Sequence, residues 1–141
     1  MMTIKEYLQQ YGEYERFAQR LKTEYETEAE KLGAIQSGVG DGTPRGTQIG
    51  KPVEQLAIEL ADKWFDWKTA EIEALRMRKE IFDLIKTVPG VGRDVLYYRY
   101  IVGKSWLEVG KAVGYSKSRA HDIHNKALEF LANRTPSDSK V

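Results

Sequence analysis

The chain has 141 residues, of which 41% are hydrophobic and 30% charged, proportions that suit one soluble globular domain with a modest core. The absence of cysteine excludes disulfides, thiolate metal sites and a cysteine nucleophile. No apolar run approaches the roughly 18 residues of a membrane span, and the N-terminus lacks the apolar stretch of a signal peptide. We therefore expect a cytoplasmic protein that makes no membrane contact.

The net charge of +1 conceals an asymmetry along the chain. Residues 1–51 carry seven basic and eight acidic side chains, a net charge of −1, and residues 52–91 carry six and eight, a net charge of −2. Residues 92–141 carry nine basic and five acidic side chains, a net charge of +4. A nucleic-acid contact is therefore expected in the C-terminal third.

A capping box at Thr3 to Glu6 predicts the start of the first helix, because the hydroxyl and the carboxylate satisfy amides of its first turn. Apolar residues then recur at three- and four-residue spacing to Leu32, which predicts one amphipathic helix about 45 Å long. The next segment, 33–52, holds six of the twelve glycines and two of the four prolines. It predicts a long loop, and it lacks the Gly-Lys-Ser/Thr sequence of a phosphate-binding loop.

A second long helix is predicted from Pro52, since no glycine or proline follows before Pro89. It has more than one apolar face, and so needs more than one neighbour. The simplest arrangement is an antiparallel hairpin over residues 1–91, with a remaining apolar face for the C-terminal module or another subunit. One stripe contains Val53, Ala57, Leu60, Trp64 and Trp67, and a neighbouring stripe contains Phe65, Ile72, Leu75 and Phe82.

Three shorter helices are predicted over residues 92–134, with breaks at Gly103 and Gly114, followed by a flexible tail at 135–141. Ser105 begins a second capping box with Glu108, and Ser116 is a good N-cap for the third helix. Gly110 is small enough to let that helix cross closely, and Gly114 can adopt the positive φ of a tight turn. The expected fold is therefore all-α, a long antiparallel helical hairpin followed by a helix-turn-helix.

The outer face of the third helix is polar and short-chained, which suits the major groove of DNA. Asn125 can bond adenine and Asp122 can accept from cytosine, while Lys117 and Arg119 lie near the helix N-terminus, where phosphates bind. His121 flanks this face, and His124 points to the core. The alternative is that this polar face is only exposed to solvent and binds no partner, on a helix whose role is structural. The candidate DNA contacts are Lys104, Ser105, Ser116, Lys117, Ser118, Arg119, His121, Asp122, Asn125 and Lys126.

Two other patterns resemble binding sites. The first is the pair His121 and His124, which lacks the third ligand that a metal site requires, so we expect no metal and no cofactor. The glycine-rich stretch Ile85 to Gly92 is similar to the hairpin of a helix-hairpin-helix, whose amides contact DNA phosphates. Leu96 occupies a position at which that motif usually has a small residue. The alternative interpretation is that Pro89 and Gly90 form a turn that does not contact DNA.

Residues 93–131 contain four short motifs in order: Val95-Leu96-x-x-Arg99-Tyr100, Ser105-Trp106-x-Glu108-Val109-Gly110, Gly114-Tyr115-Ser116 and Ile123-x-x-Lys126-Ala127-Leu128. In this combination the module resembles the promoter-recognising region 4 of sigma-70 factors. With the helical hairpin in front and Pro44-Arg45-Gly46 in the loop, the whole chain resembles the ArpU and RinA-like late transcription regulators of phages of Gram-positive bacteria.

The resemblance implies a sequence-specific regulator of double-stranded DNA that activates late phage genes, and it leaves open a contact with RNA polymerase. Position by position, it implies base contacts by Lys117, Ser118, His121 and Asp122 and a backbone contact by Arg119. Sigma factors usually have longer side chains at several of these positions, so the site read here should differ from the usual promoter element. No segment resembles the sigma region that melts DNA.

Other functions remain open at this stage. A DNA-packaging component of the small-terminase type also joins a helix-turn-helix to oligomerising helices, although it usually carries the DNA module first. A protein-interaction adaptor would use the same module on another protein. An enzyme is disfavoured, because no nucleophile is paired with a base. A homodimer through the aromatic hairpin, at Trp64 and Trp67, would suit a two-fold symmetric operator.

Overall fold

The computed structural model describes residues 2–37 and 52–139, and this part of the chain is helical with no strand. The expected all-α class is confirmed for these residues. The glycine-rich interior of the predicted loop, residues 38–51, lies outside the described residues, as do positions 140 and 141. The helices are α1 (Ile4–Ser37), α2 (Val53–Ile85), α3 (Val91–Leu96), a π-helix (Tyr97–Val102) that continues α3, α4 (Trp106–Val113) and α5 (Lys117–Ser139).

Two helix ends differ from the sequence prediction. The capping box at the start of α1 is confirmed, since Thr3 N donates to Glu6 Oε1 at 2.8 Å and Glu6 N donates to Thr3 Oγ1 at 3.1 Å. However, α1 continues beyond Gly33 to Ser37. A lone glycine within a helix costs only about 1 kcal/mol, which is too little to end it. At the other end of the chain, α5 extends to Ser139, so the predicted tail at 135–141 overlaps its last turns.

The contacts divide the chain into two compact units, one made of residues 1–14 and 74–141 and the other of residues 15–73. This division differs from the expected boundary at residue 91. The reason is that the first residues of α1 and the last third of α2 share one hydrophobic core with the C-terminal helices. The fully buried members of that core are Leu8, Ile81, Ile85, Leu96 and Leu131.

A second, smaller core lies among α3, α4 and α5 in the same unit. Val95, Val109 and Ala120 are each completely buried, and half-buried apolar side chains close around them. Burying a valine or leucine side chain contributes about 1.5 to 3 kcal/mol, so this core holds α5 firmly against α4. The half-buried members are Val91, Tyr98, Trp106, Val113 and Ile123.

In the unit of residues 15–73, the described residues belong to α1 and α2, apart from Pro52. Tyr25 and Trp67 pack with ring centroids 5.5 Å apart, and Lys63 Nζ lies 3.8 Å from Glu24 Oε1. Among the described residues of this unit, the buried apolar side chains are those of Ala18 and Ala70. Within the described helices, none is long and apolar enough to cross a bilayer.

Candidate nucleic-acid interface

The crossing of α4 and α5 depends on Gly110. A Cβ atom at this position would lie 2.6 Å from the carbonyl oxygen of Tyr115 and 3.1 Å from the carbonyl carbon and oxygen of Ser116. These are backbone atoms, so only glycine permits the close approach. Gly114 follows α4 with φ of 82°, the left-handed conformation that a tight turn requires. The expected roles of Gly110 and Gly114 are therefore confirmed.

Serine side chains fix the first turns of both helices, as predicted. Ser105 Oγ accepts from the Glu108 amide at 3.2 Å, and Glu108 Oε1 accepts from the Ser105 amide at 2.9 Å. This hydrogen bond from the Ser105 amide is the main reason that the pKa of Glu108 is lowered. Ser116 Oγ likewise accepts from the Arg119 amide at 3.1 Å. Both candidate serines are thus N-caps whose hydroxyl hydrogens are left for another acceptor.

The outer face of α5 is exposed over its first three turns. Its opposite face carries Ala120, Ala127 and Leu131, which are buried. Tyr115, the residue between Gly114 and the N-cap Ser116, is 44% exposed. It sits in the turn, before the helical periodicity begins, and the Arg119 guanidinium lies 5.7 Å from its ring. The candidate residues exposed on this face are Lys117, Ser118, Arg119, His121, Asp122, Asn125 and Lys126.

His121 is exposed, and its ring packs edge-to-face against Trp106 with the ring centroids 4.9 Å apart. Asn125 Nδ2 lies 3.4 Å from His121 Nδ1 on the next turn of the helix. Two candidate base contacts thus lie beside one another, and one of them, His121, packs against an aromatic side chain of α4. Sequence reasoning missed this contact, because it joins side chains of two different helices; the position of Trp106 at the start of α4, close to the crossing, is the one signal of it.

His124 is buried, as the sequence predicted, and joins three helices. Its Nε2 lies 2.6 Å from the Tyr100 hydroxyl of the π-helix, and its Nδ1 lies 3.1 Å from Asn125 Oδ1. The amide oxygen of Asn125 can only accept, so Nδ1 carries the proton and Nε2 accepts from Tyr100. Burial lowers the pKa of His124 to about 4 and raises the pKa of Tyr100 to about 12. Both groups are therefore neutral near pH 7.

Lys104 and Ser105 directly precede α4, and Arg99 contacts the backbone at Lys104. Arg99 Nη1 donates to the carbonyl of Lys104 at 3.0 Å, and its guanidinium lies 4.6 Å from the Trp106 ring centroid. This double contact fixes the backbone that presents Lys104. Lys104 is half-buried and Ser105 is exposed, so both side chains can reach a ligand in front of the helix.

Three of the candidate residues also line a cleft of about 290 Å³ on the other edge of α5. Arg119, Asp122 and Lys126 follow a helical three- and four-residue spacing there, opposite the turn at Val88 to Gly92. The turn is held by a hydrogen bond from Arg93 Nε to the carbonyl of Val88, and Gly90 has φ of 65°. The structure thus brings together the recognition-helix candidates and the glycine-rich turn that the sequence singled out separately.

Among the described residues, no group of three or more histidine, aspartate or glutamate side chains is placed to hold a metal ion. In the comparisons with known proteins, no family model, no curated protein and no solved structure matches this chain.

Proposed function

We propose that this chain is a sequence-specific double-stranded DNA-binding protein that regulates transcription, with α4 and α5 as its helix-turn-helix and α5 as the recognition helix. The observation that carries the proposal is the exposed polar face of α5 above a crossing that only Gly110 permits. A helix whose inner face is locked can present short polar side chains to base edges without losing much side-chain entropy.

The proposal assigns different tasks to the residues of that face. Ser118, His121 and Asn125 contact bases, as does Asp122, and His121 is in contact with both Trp106 and Asn125. Lys117 and Arg119 contact phosphates beside the N-terminus of α5, and Lys104 and Ser105 contact the opposite strand from the N-terminus of α4.

Asp122 and Lys126 face the cleft beside the Val88 to Gly92 turn. Asp122 accepts from a cytosine, and Lys126 contacts the phosphate backbone where it passes the turn. The sigma-like motifs support a site near a promoter and a contact with RNA polymerase in the bacterial cytoplasm. A long antiparallel hairpin of α1 and α2 in front of this module completes the arrangement that we infer, and late phage genes are the proposed target.

The first experiment selects binding sites from a randomised duplex library and measures affinity for the selected site across salt concentration. The double variant Arg119→Ala plus His121→Ala should lose selectivity, and its log affinity should depend on log salt with a slope smaller by about 1, because one phosphate contact is removed. Lys31→Ala is the matched control, because Lys31 is an exposed cation of the other unit, paired with Glu28.

A folded wild-type protein that leaves duplex DNA free even at low salt would overturn the proposal. The adaptor function would then take its place, with the same face of α5 directed at a protein. Binding without selectivity, with equal loss from Lys31→Ala, would show that attraction to phosphate is diffuse and that α5 does not read bases.

A further inference from the structure

A row of hydrogen bonds runs from the core to the exposed face of α5. The Tyr100 hydroxyl lies 2.6 Å from His124 Nε2, and these two side chains are only 8% and 1% exposed. Asn125 continues the row, with its Oδ1 3.1 Å from His124 Nδ1 and its Nδ2 3.4 Å from His121 Nδ1. Asn125 and His121 are exposed. We call this row the relay; it joins a buried polar pair to two candidate base contacts.

Stability alone gives little reason for the buried pair. A buried hydrogen bond contributes little net free energy, because folding exchanges bonds to water for it. Apolar side chains of similar volume would fill the same space without the cost of removing polar groups from water. What Tyr100 and His124 add is direction, since each group in the relay must either donate or accept.

The relay can run in two senses. In the first, Tyr100 donates to His124 Nε2, and His124 Nδ1 donates to the amide oxygen of Asn125. The amide nitrogen of Asn125 then donates to His121 Nδ1. In the second sense the amide is turned over and each bond is reversed, because a neutral imidazole has one donor and one acceptor. The two senses leave opposite tautomers on His121.

The burial of Tyr100 selects the first sense. In the second, the hydroxyl oxygen accepts from His124, so the hydroxyl hydrogen needs a different acceptor. Among the described residues, His124 is the one hydrogen-bond partner of this hydroxyl. Leaving a buried hydroxyl hydrogen without an acceptor costs more than an ordinary hydrogen bond contributes. Tyr100 therefore donates, and the rest of the relay follows from that.

We propose that the relay fixes the tautomer of His121, so that its Nδ1 accepts from Asn125 and its Nε2 carries the hydrogen. His121 then offers a donor to DNA and reads a base that offers an acceptor. Guanine is the preferred base, because its N7 and O6 are both acceptors in the major groove, whereas cytosine offers a donor there. The choice of base rests on the proposed DNA binding, but the tautomer belongs to the free protein.

Asn125 can still read adenine while it is part of the relay. Its amide nitrogen has two hydrogens, of which His121 takes one, and its oxygen has two lone pairs, of which His124 takes one. The remaining hydrogen and lone pair are the donor and acceptor that adenine requires. Tyr100 and His124 are therefore positioning residues, and Asn125 is both a positioning residue and a base contact.

The first test is the position of the hydrogen on each histidine of the free protein. Two-bond proton–nitrogen correlation spectra show it at about pH 8, above the ordinary histidine pKa of about 6.5. His124 should carry its hydrogen on Nδ1, and His121 should carry its hydrogen on Nε2. The opposite tautomer at either histidine would overturn the proposal.

An exposed substitution tests whether Asn125 controls His121. In Asn125→Asp the carboxylate can only accept, so His121 Nδ1 should gain a hydrogen. Asp122→Asn is the matched control, because it makes the reverse exchange at an exposed position outside the relay, and it should leave the tautomer of His121 unchanged. A His121 Nδ1 that stays without a hydrogen in Asn125→Asp would show that the relay does not act on it.

The choice of base is tested at the position of the selected duplex site whose preference His121→Ala abolishes. The wild type should prefer guanine there, and Tyr100→Phe should reduce that preference by roughly three- to tenfold, because the sense of the relay is no longer selected. Tyr98→Phe is the matched control, since it removes a hydroxyl from the same π-helix, where Tyr98 packs on Tyr97.

The outcomes separate the relay from DNA binding. A preference for cytosine at that position, or an equal loss in the two tyrosine variants, overturns the proposed reading by His121. A protein that has the expected tautomers but binds no duplex overturns the DNA-binding function and the choice of base, while the tautomer assignment stands. A protein that binds selectively with the opposite tautomers overturns the relay alone.

Discussion

The two units of the chain differ in how far they bury their large apolar side chains. In the unit of residues 1–14 and 74–141, leucines and isoleucines such as Leu8, Ile81 and Leu131 are fully buried. In the unit of residues 15–73, Phe17, Ile58, Phe65 and Ile72 are each more than half exposed.

The difference follows from how many helices surround each apolar face. In the first unit, α5 meets both α3 and α4, and the ends of the two long helices complete the same core. In the second unit, α1 and α2 are the only described helices, and two helices alone cannot enclose both faces of either one. The first unit therefore buries its large apolar side chains by close internal packing, whereas the described helices of the second unit leave several of theirs exposed.

The largest expected effect comes from substitution of Gly110 in the unit of residues 1–14 and 74–141. Gly110→Ala should lower the free energy of unfolding by about 3 kcal/mol, because the new Cβ meets backbone atoms that cannot move aside. Gly33→Ala is the matched control, since no heavy atom lies within 4 Å of its Cβ position and alanine favours the helix. Urea denaturation measures both. Equal effects of the two substitutions would contradict the close crossing of α4 and α5.

Acid should weaken the first unit through His124. Its pKa in the folded chain is about 4, below the ordinary value of 6.5, so the unfolded chain binds a proton first as pH falls. The stabilisation is complete above pH 6.5 and is lost on the way down to pH 4. Between pH 7 and pH 5 the loss should be about 2 kcal/mol, measured as a lower urea midpoint.

Two histidine variants isolate this effect. His124→Gln keeps a hydrogen-bond acceptor for the Tyr100 hydroxyl but removes the titrating group, so its stability should change little between the two pH values. His121→Gln alters an exposed histidine and should retain the dependence of the wild type. A pH dependence that survives in His124→Gln would assign the effect to other groups.

Local sequence signals predicted the features that depend on neighbouring residues. The capping boxes at Thr3 and Ser105, the N-cap at Ser116 and the turn at Gly114 each rest on residues within four positions of one another. The spacing along α5 also separated buried His124 from exposed His121. Most of the candidate interface could therefore be placed before the structure was known.

Features set by distant contacts could not be read in this way. Two apolar stripes on α2 showed that the helix has two faces, but not that Trp67 would be covered and Phe65 exposed. The π-helix at Tyr97–Val102 shifts hydrogen bonding, so that Gly103 N donates to Tyr98 O at 3.0 Å, and no residue type announces it. Lining of the cleft by Asp122 and Lys126 depends on where the Val88 to Gly92 turn packs.

A smaller effect is expected at the N-cap of α5. Ser116→Ala should cost about 1 kcal/mol, because the Arg119 amide loses its acceptor at the end of a helix. Ser116→Gly should lower the free energy of unfolding by only about 0.3 kcal/mol, since glycine suits the cap position and leaves the Arg119 amide open to water. Thermal melts rank the two variants, and a larger loss for glycine would contradict the capping role.

The smallest effect is expected in the second unit, at the ion pair of Lys63 and Glu24. The two charged atoms are 3.8 Å apart, and both side chains are 40% or more exposed, so water and salt screen the attraction. Glu24→Gln should therefore change the free energy of unfolding by less than about 0.5 kcal/mol. Urea denaturation at low and high salt measures it. A loss well above this value, or one that does not shrink as salt is added, would contradict the screening of this exposed pair.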